Sequence, residues 1–321
     1  MPGEFEIIDW IRAQVAQAGQ GLVSLGIGDD CSLINQPDDN RKWLVTTDML
    51  LDGRHFQMQS GQHSPAQVGR KAMAVNLSDI AAMAGTPVAA FVSVALPKAD
   101  SQSIARQLTE ALKAEAAKYQ VVLAGGDTNV WDGPLVINIT LIGLEPQGGA
   151  VLRSGARQGD LVFVSGPLGG SYPSGRHMRP IPRLRLAEDL KICLGPDLHA
   201  MIDLSDGLAG DLRHILNESG ALGADLFTHQ IPIHTDLYDY QTEVQNQAGP
   251  EAAMEHALCD GEDFELCFCV DPAALSKLPQ GVFEVGRITK EPGLRLVGPD
   301  GLARNYHRGG FDHFRKELNT R

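Results

Sequence analysis

The 321-residue chain is long enough for two domains, and its 43% hydrophobic content suits buried cores and excludes wholesale disorder. A net charge of −13 with no run of Lys and Arg excludes a general nucleic-acid binder, and no apolar stretch approaches a membrane span, so a soluble cytoplasmic protein is expected. Five cysteines, an odd number with no CxxC pair, are expected as reduced thiols rather than as disulfides or a zinc site.

Residues 24–34 (SLGIGDDCSLI) form a glycine-spaced turn that carries Asp29 and Asp30 between apolar residues. On its own this stretch reads as a hairpin turn. Residues 44–47 (LVTT) read as a short strand ending at Asp48. Ser64-Pro65 starts a helix that runs to Met83, where Gly85 and Pro87 stop it. Ser101 is expected to cap a second helix, with Ile104, Leu108 and Leu112 along one stripe. Residues 121–124 read as a strand leading to Asp127, and the alternation in 135–142 (LVINITLI) places Leu135, Ile137, Ile139 and Leu141 on one face. The glycine-rich stretch 147–159 marks a domain boundary that divides 1–148 from 149–321. A strand at 161–165, a loop at 166–183, a helix from Asp206 to Ser219 and strands near 265–270 and 282–288 follow. Cys267 and Cys269 alternate and are expected on one face. The class is α/β or α+β in each half, without the regular order of a dinucleotide-binding sheet.

The acids carry the chemistry. Asp30, Asp48, Asp127, Asp203 and Asp206 follow apolar runs or sit in the glycine turn, and ligands gather at strand ends in open α/β sheets. Asp79 lies inside a helix on a mostly apolar face, where an isolated carboxylate is costly. Two carboxylates ~4 Å apart repel by roughly 4 kcal/mol at an effective dielectric of about 20, so a cluster of them requires cations. Oxygen-only ligands select Mg²⁺, Mn²⁺ or Ca²⁺, and Mg²⁺ suits a chain without a GxxxxGK[ST] phosphate loop. Thr46 and Thr47 stand ready to add hydroxyl ligands. Each aspartate taken singly reads equally well as a cap or turn residue, Asp206 as an N-cap and Asp48 as a strand terminator.

The motifs GIGDDC, TTDMLLDGRHF, AVNLSDIAAM, AGGDT, LRSGARQGD, RPIPR, IDLSDGL, GEDFEL and GGFDHF occur in the order seen in thiamine-monophosphate kinases. The chain resembles that family from about Gly3 to Phe314, within a superfamily that includes aminoimidazole ribonucleotide synthetase and selenophosphate synthetase. The resemblance implies an N-terminal α/β domain followed by a C-terminal α+β domain, and a homodimer formed through the N-terminal domains. It implies ATP-dependent phosphorylation of thiamine monophosphate to thiamine diphosphate with several Mg²⁺ ions. The implied metal ligands are Asp30, Thr46, Thr47, Asp48, Asp79, Asp127, Asp203 and Asp206. Gly126, Asp127, Arg153 and Ser205 are the implied nucleotide contacts, and His55, Glu262 and Phe311 the implied acceptor site. The acceptor phosphate is already ionised, so no general base is assigned. The loop GPLGGSYPSGRHMRPIPR replaces the family's Gly-Asp-Ser-Ala-Ala-Gly segment and following helix, and Asp260 stands where a glycine is usual. Two alternatives stay open: a kinase or synthetase of the same superfamily with another small acceptor, and a non-catalytic nucleotide- or thiamine phosphate-binding protein.

Overall fold

The computed structural model describes residues 4–14, 21–37, 39–237 and 250–310. A first sheet holds six strands in the order β1-β2-β3-β6-β4-β5, formed by Val23–Leu25, Ser32–Ile34, Trp43–Leu51, Val136–Leu144, Thr86–Pro97 and Val122–Trp131. All its pairs are antiparallel except β4 and β5, which run parallel because helix α3 (Ser101–Lys118) carries the chain back between them. Helix α2 (Pro65–Ala82) links β3 to β4 and packs beside α3, and helix α1 (Glu4–Gln14) precedes β1.

Alternation fixes which face is inside. Leu135, Ile137, Ile139 and Leu141 are all fully buried, as their spacing predicts. The capping box at the start of α2 also forms as expected: the Ser64 hydroxyl accepts from the Gln67 amide while the Gln67 side chain accepts from the Ser64 amide.

The second sheet holds seven strands in the order β13-β12-β9-β11-β7-β10-β8, formed by Ala303–Tyr306, Gly293–Val297, Gly223–Phe227, Phe283–Thr289, Leu161–Val164, Leu266–Val270 and Leu198–Asp203. Helices α4 (Leu184–Leu194), α5 (Leu208–Glu218) and α6 (Pro250–Cys259) accompany it. Cys267 and Cys269 do share a face: they join the core beneath α5, while Phe268 between them packs on the other side against Phe163. Ala81, Ala82 and Ala84 at the end of α2 lie in that same cluster with Phe163, Leu190 and Met201, so apolar packing joins the two sheets. Among the described residues, no helix is long and apolar enough to cross a membrane.

Three local expectations are corrected. Asp48 and Asp127 do not end their strands; β3 continues to Leu51 and β5 to Trp131. Ser101 is not the cap of α3, because Asp100 enters the helix from a left-handed conformation and makes no side-chain cap bond. Nor is Asp206 the N-cap of α5. Gly207 holds that position at φ 101°, where a Cβ would meet the Leu258 carbonyl oxygen at 2.8 Å, so only glycine fits.

Candidate active site

The GIGDD turn between β1 and β2 faces the second sheet across a cleft of about 660 Å³. Asp29, Asp30, Thr46, Thr47 and Arg153 line one side, and Asp206, Gly210, Arg213 and His214 the other. Arg12 of α1 closes one rim by an ion pair to Glu218 of α5 at 2.7 Å.

Asp30, which lines the cleft, and Asp79 and Asp203 bring carboxylate oxygens within 4.8 Å of one another. They come from the turn, from α2 and from the end of β8. Each is held by the chain: the Thr46 hydroxyl donates to Asp79, and the Ser78 hydroxyl donates to Asp203 Oδ2 at 2.6 Å. Arg153 Nη2 donates to Asp30 Oδ1 at 2.6 Å, while Asp30 Oδ2 is buried with no hydrogen-bond partner. Asp29 accepts the backbone amides of Asp30 and Arg153, tying the turn to the start of the second half.

Electrostatics mark the cluster as incomplete. Burial first, then the neighbouring carboxylates Asp48, Asp203 and Asp30, push Asp79 well above the ordinary carboxyl range. Burial and Asp30 raise Asp203 to about 8, and burial followed by Glu262 and Asp30 raises Asp48 to about 6. These acids must take up protons or a cation. All donors are oxygens, and one buried carboxylate oxygen lacks any partner, so the residues fit a hard divalent cation such as Mg²⁺.

Asp48 is acted on by both charge groups, since, beyond burial, Glu262 and Asp30 each push its carboxyl up. Glu262 Oε2 accepts from Lys71 Nζ at 2.6 Å, and the same ammonium donates to the His55 backbone oxygen at 2.9 Å. His55 and Glu262, distant in sequence, therefore meet at one lysine. Phe311 lies outside the described residues; Gly310, just before it, packs on Asp206 and Gly210.

Not every expected residue joins this group within one chain. Asp206 lines the cleft, and its amide donates to the buried Asp211 carboxylate at 3.1 Å. Ser205 is exposed, and its backbone oxygen accepts from the Glu262 amide at 2.7 Å. Thr47 points to the outer face of the first sheet, where it meets Asn138 and Thr140. Asp127 pairs in register with Ser93, which in turn pairs with Asn138, so it lies on that same outer face. Strands β4 and β6 separate Gly126 and Asp127 from Asp48, roughly 14 Å at the usual strand spacing.

The GEDFEL segment is fixed by three ion pairs to three different places. Glu262 meets Lys71 of α2, Asp263 meets Arg176 at 3.0 Å, and Glu265 meets Arg183 together with the Ser165 hydroxyl. Lys71, Arg176, Arg183 and Asp211 were not singled out by the sequence reading, because their partners lie far along the chain or in another element. Arg176 and Arg183 belong to the unusual loop, which makes a short 3₁₀ turn at Arg176–Met178 and buries Ser171, His177 and Met178. Asp260 is not in the positive-φ conformation that would require a glycine, and its charge is engaged by His256 one helical turn back at 2.9 Å.

The N-terminal part, residues 28–144, matches the family model of AIR synthase related proteins, N-terminal domain. Thiamine-monophosphate kinase of Rhodopirellula baltica is 40% identical over 302 residues, covering 91% of each chain. Thiamine-monophosphate kinase of Escherichia coli K12 is 34% identical, covering 97% of this chain and 98% of its own. The chain belongs to the thiamine-monophosphate kinase family. A solved structure of AaThiL complexed with AMPPCP and TMP superposes with a TM-score of 0.81 at 29% identity, covering 97% of each chain. The family's fold is thus the one built here from two mixed sheets, with the acidic turn of the first facing α5 of the second.

Proposed function

We propose that this protein transfers the γ-phosphoryl group of ATP to the phosphate of thiamine monophosphate, giving thiamine diphosphate and ADP. The observation that carries the reading is the Asp30–Asp79–Asp203 carboxylate cluster, whose Asp30 lines an open cleft, with Asp48 acted on both by Asp30 and by the Glu262 that Lys71 ties to the His55 carbonyl. Relatives across the full length are thiamine-monophosphate kinases, and the similar AaThiL structure holds AMPPCP and TMP.

Asp30, Asp48, Asp79 and Asp203 would hold Mg²⁺, with Thr46, Thr47, Asp127 and Asp206 completing the set. When bound, Mg²⁺ neutralises the negative charge that keeps two phosphate groups apart. The chain's own part is positioning. Arg153 keeps one Asp30 oxygen engaged and leaves the other facing inward. Gly126, Ser205 and Arg153 would contact the nucleotide, and His55, Glu262 and Phe311 the acceptor. The acceptor phosphate oxygen is ionised near neutral pH, so transfer needs no side-chain base. The junction at 148/149 separates the two functional halves in this reading.

A homodimer belongs to the same proposal. Met49, Leu51, Phe91 and Trp131 are exposed hydrophobics on the outer face of the first sheet, the face that carries Asp127. Packing this face on its counterpart in a second copy would carry Gly126 and Asp127 of one copy towards the cleft of the other. A cytoplasmic setting fits the five unbridged cysteines.

The test is chromatographic: purified protein with Mg²⁺-ATP and thiamine monophosphate is expected to give thiamine diphosphate and ADP in equal amounts. ADP without thiamine diphosphate would redirect the reading to another acceptor.

A further inference from the structure

We propose that Lys71 is the positioning residue of the acceptor side of the site, its ammonium, anchored on the His55 carbonyl, fixing where the Glu262 carboxylate points across the junction of the two sheets. This inference rests on the kinase reading above and deepens it.

The geometry is specific. The Lys71 side chain is fully buried on α2, and a buried ammonium persists only where it is paired and hydrogen-bonded. Its bonds at 2.6 Å to Glu262 Oε2 and 2.9 Å to the His55 carbonyl join residues 207 positions apart in sequence (262 − 55). The Glu262 backbone is held by other groups: its amide donates to the Ser205 oxygen, its carbonyl accepts from the Ser171 hydroxyl at 2.6 Å, and its φ is 59°. Lys71 therefore determines where the carboxylate points, not where the chain runs. That control matters because Glu262 and Asp48 are like charges close enough to act on each other. The ion pair uses one carboxylate oxygen, and the acceptor's thiazolium is a cation that a fixed carboxylate attracts. Lys71 also stands eight residues before Asp79 on the same helix, about 12 Å along its axis, so one rigid element sets both the acceptor carboxylate and a metal-side carboxylate.

The experiment compares wild type, Lys71→Met, Glu262→Gln and the double variant. Lys71→Met is expected to raise KM for thiamine monophosphate at least tenfold while leaving the affinity for AMPPCP within twofold. The double variant is expected to match Glu262→Gln alone, because Lys71 acts through that carboxylate. If Lys71→Met fails to fold, the charge-balanced double variant still decides: a KM equal to that of Glu262→Gln supports the role. A further tenfold rise, an unchanged KM in Lys71→Met, or a parallel loss of AMPPCP binding overturns it. Absence of turnover in the wild type would instead overturn the kinase reading on which the inference stands.

Discussion

Arg153 and Asp30 meet across the two halves of the molecule, Nη2 to Oδ1 at 2.6 Å, and the second oxygen of Asp30 is buried without a partner. The pair joins the glycine turn of the first sheet to the segment that opens the second. It also explains how an aspartate can stay buried next to two others. Arg153→Met would leave Asp30 as an uncompensated buried charge. The expected outcome is a loss of about 3–5 kcal/mol in unfolding free energy, together with weaker nucleotide binding. Denaturant unfolding and AMPPCP titration check both.

Asp48→Asn separates function from stability. Asp48 sits among Glu262, Asp30 and Asp79, so removing its charge relieves like-charge repulsion. The metal-free variant is expected to gain about 1–2 kcal/mol, while Mg²⁺-dependent turnover falls at least a hundredfold. Thermal unfolding with and without Mg²⁺, alongside the product assay, measures the two effects. Near-normal turnover would sink the metal-cluster reading.

Gly261→Ala tests the backbone under Glu262. Gly261 has a φ of 69°, and a Cβ there would collide with the Ser205 carbonyl oxygen. Glu262 and Phe264 are left-handed as well, at 59° and 51°, so the segment has little freedom to relax. The substitution is expected to cost about 2 kcal/mol or more, from the left-handed penalty plus the collision. KM for the acceptor should rise with it, and steady-state kinetics reads that shift.

His177 is expected to make stability depend on pH. Burial first, then the Lys71 ammonium, push its imidazole down to about 4, and it stacks on Tyr172 with ring centroids 4.4 Å apart. The folded state keeps His177 neutral while the unfolded chain protonates it below its ordinary value of 6.5. Its contribution is therefore complete above about pH 6.5 and is lost as pH falls towards 4. His177→Phe keeps a ring and removes the titration. Relative to wild type, the variant is expected to gain about 3 kcal/mol between pH 7 and pH 4. Parallel denaturation curves at several pH values give the difference, and a flat difference would refute it.

Phe91→Asp probes the outer face of the first sheet. Phe91 is 40% exposed, on the face that carries Asp127. In the proposed homodimer a charge there is expected to give a monomer and to remove activity without unfolding the chain. Sedimentation velocity and circular dichroism distinguish that outcome from misfolding.

The sequence by itself determined the elements whose signals are local. The Ser64-Pro65 start of α2 and the alternation through Leu135–Leu141 required nothing beyond neighbouring residues. The Asp-bearing motifs, read in order, also pointed to the family and to the acids that meet at Asp30, Asp79 and Asp203. Strand ends were less legible: β3 and β5 run past Asp48 and Asp127 because neighbouring strands supply hydrogen-bond partners that local polarity does not reveal. Only the tertiary structure decided that Asp127 lies on the opposite face from Asp48, since sidedness follows from the register between strands. It alone revealed Lys71, Arg176 and Arg183, whose partners Glu262, Asp263 and Glu265 are 191, 87 and 82 residues away. A charge pair of that separation leaves no periodic trace in a sequence, because its energy depends on burial and distance that exist only once the two sheets have packed.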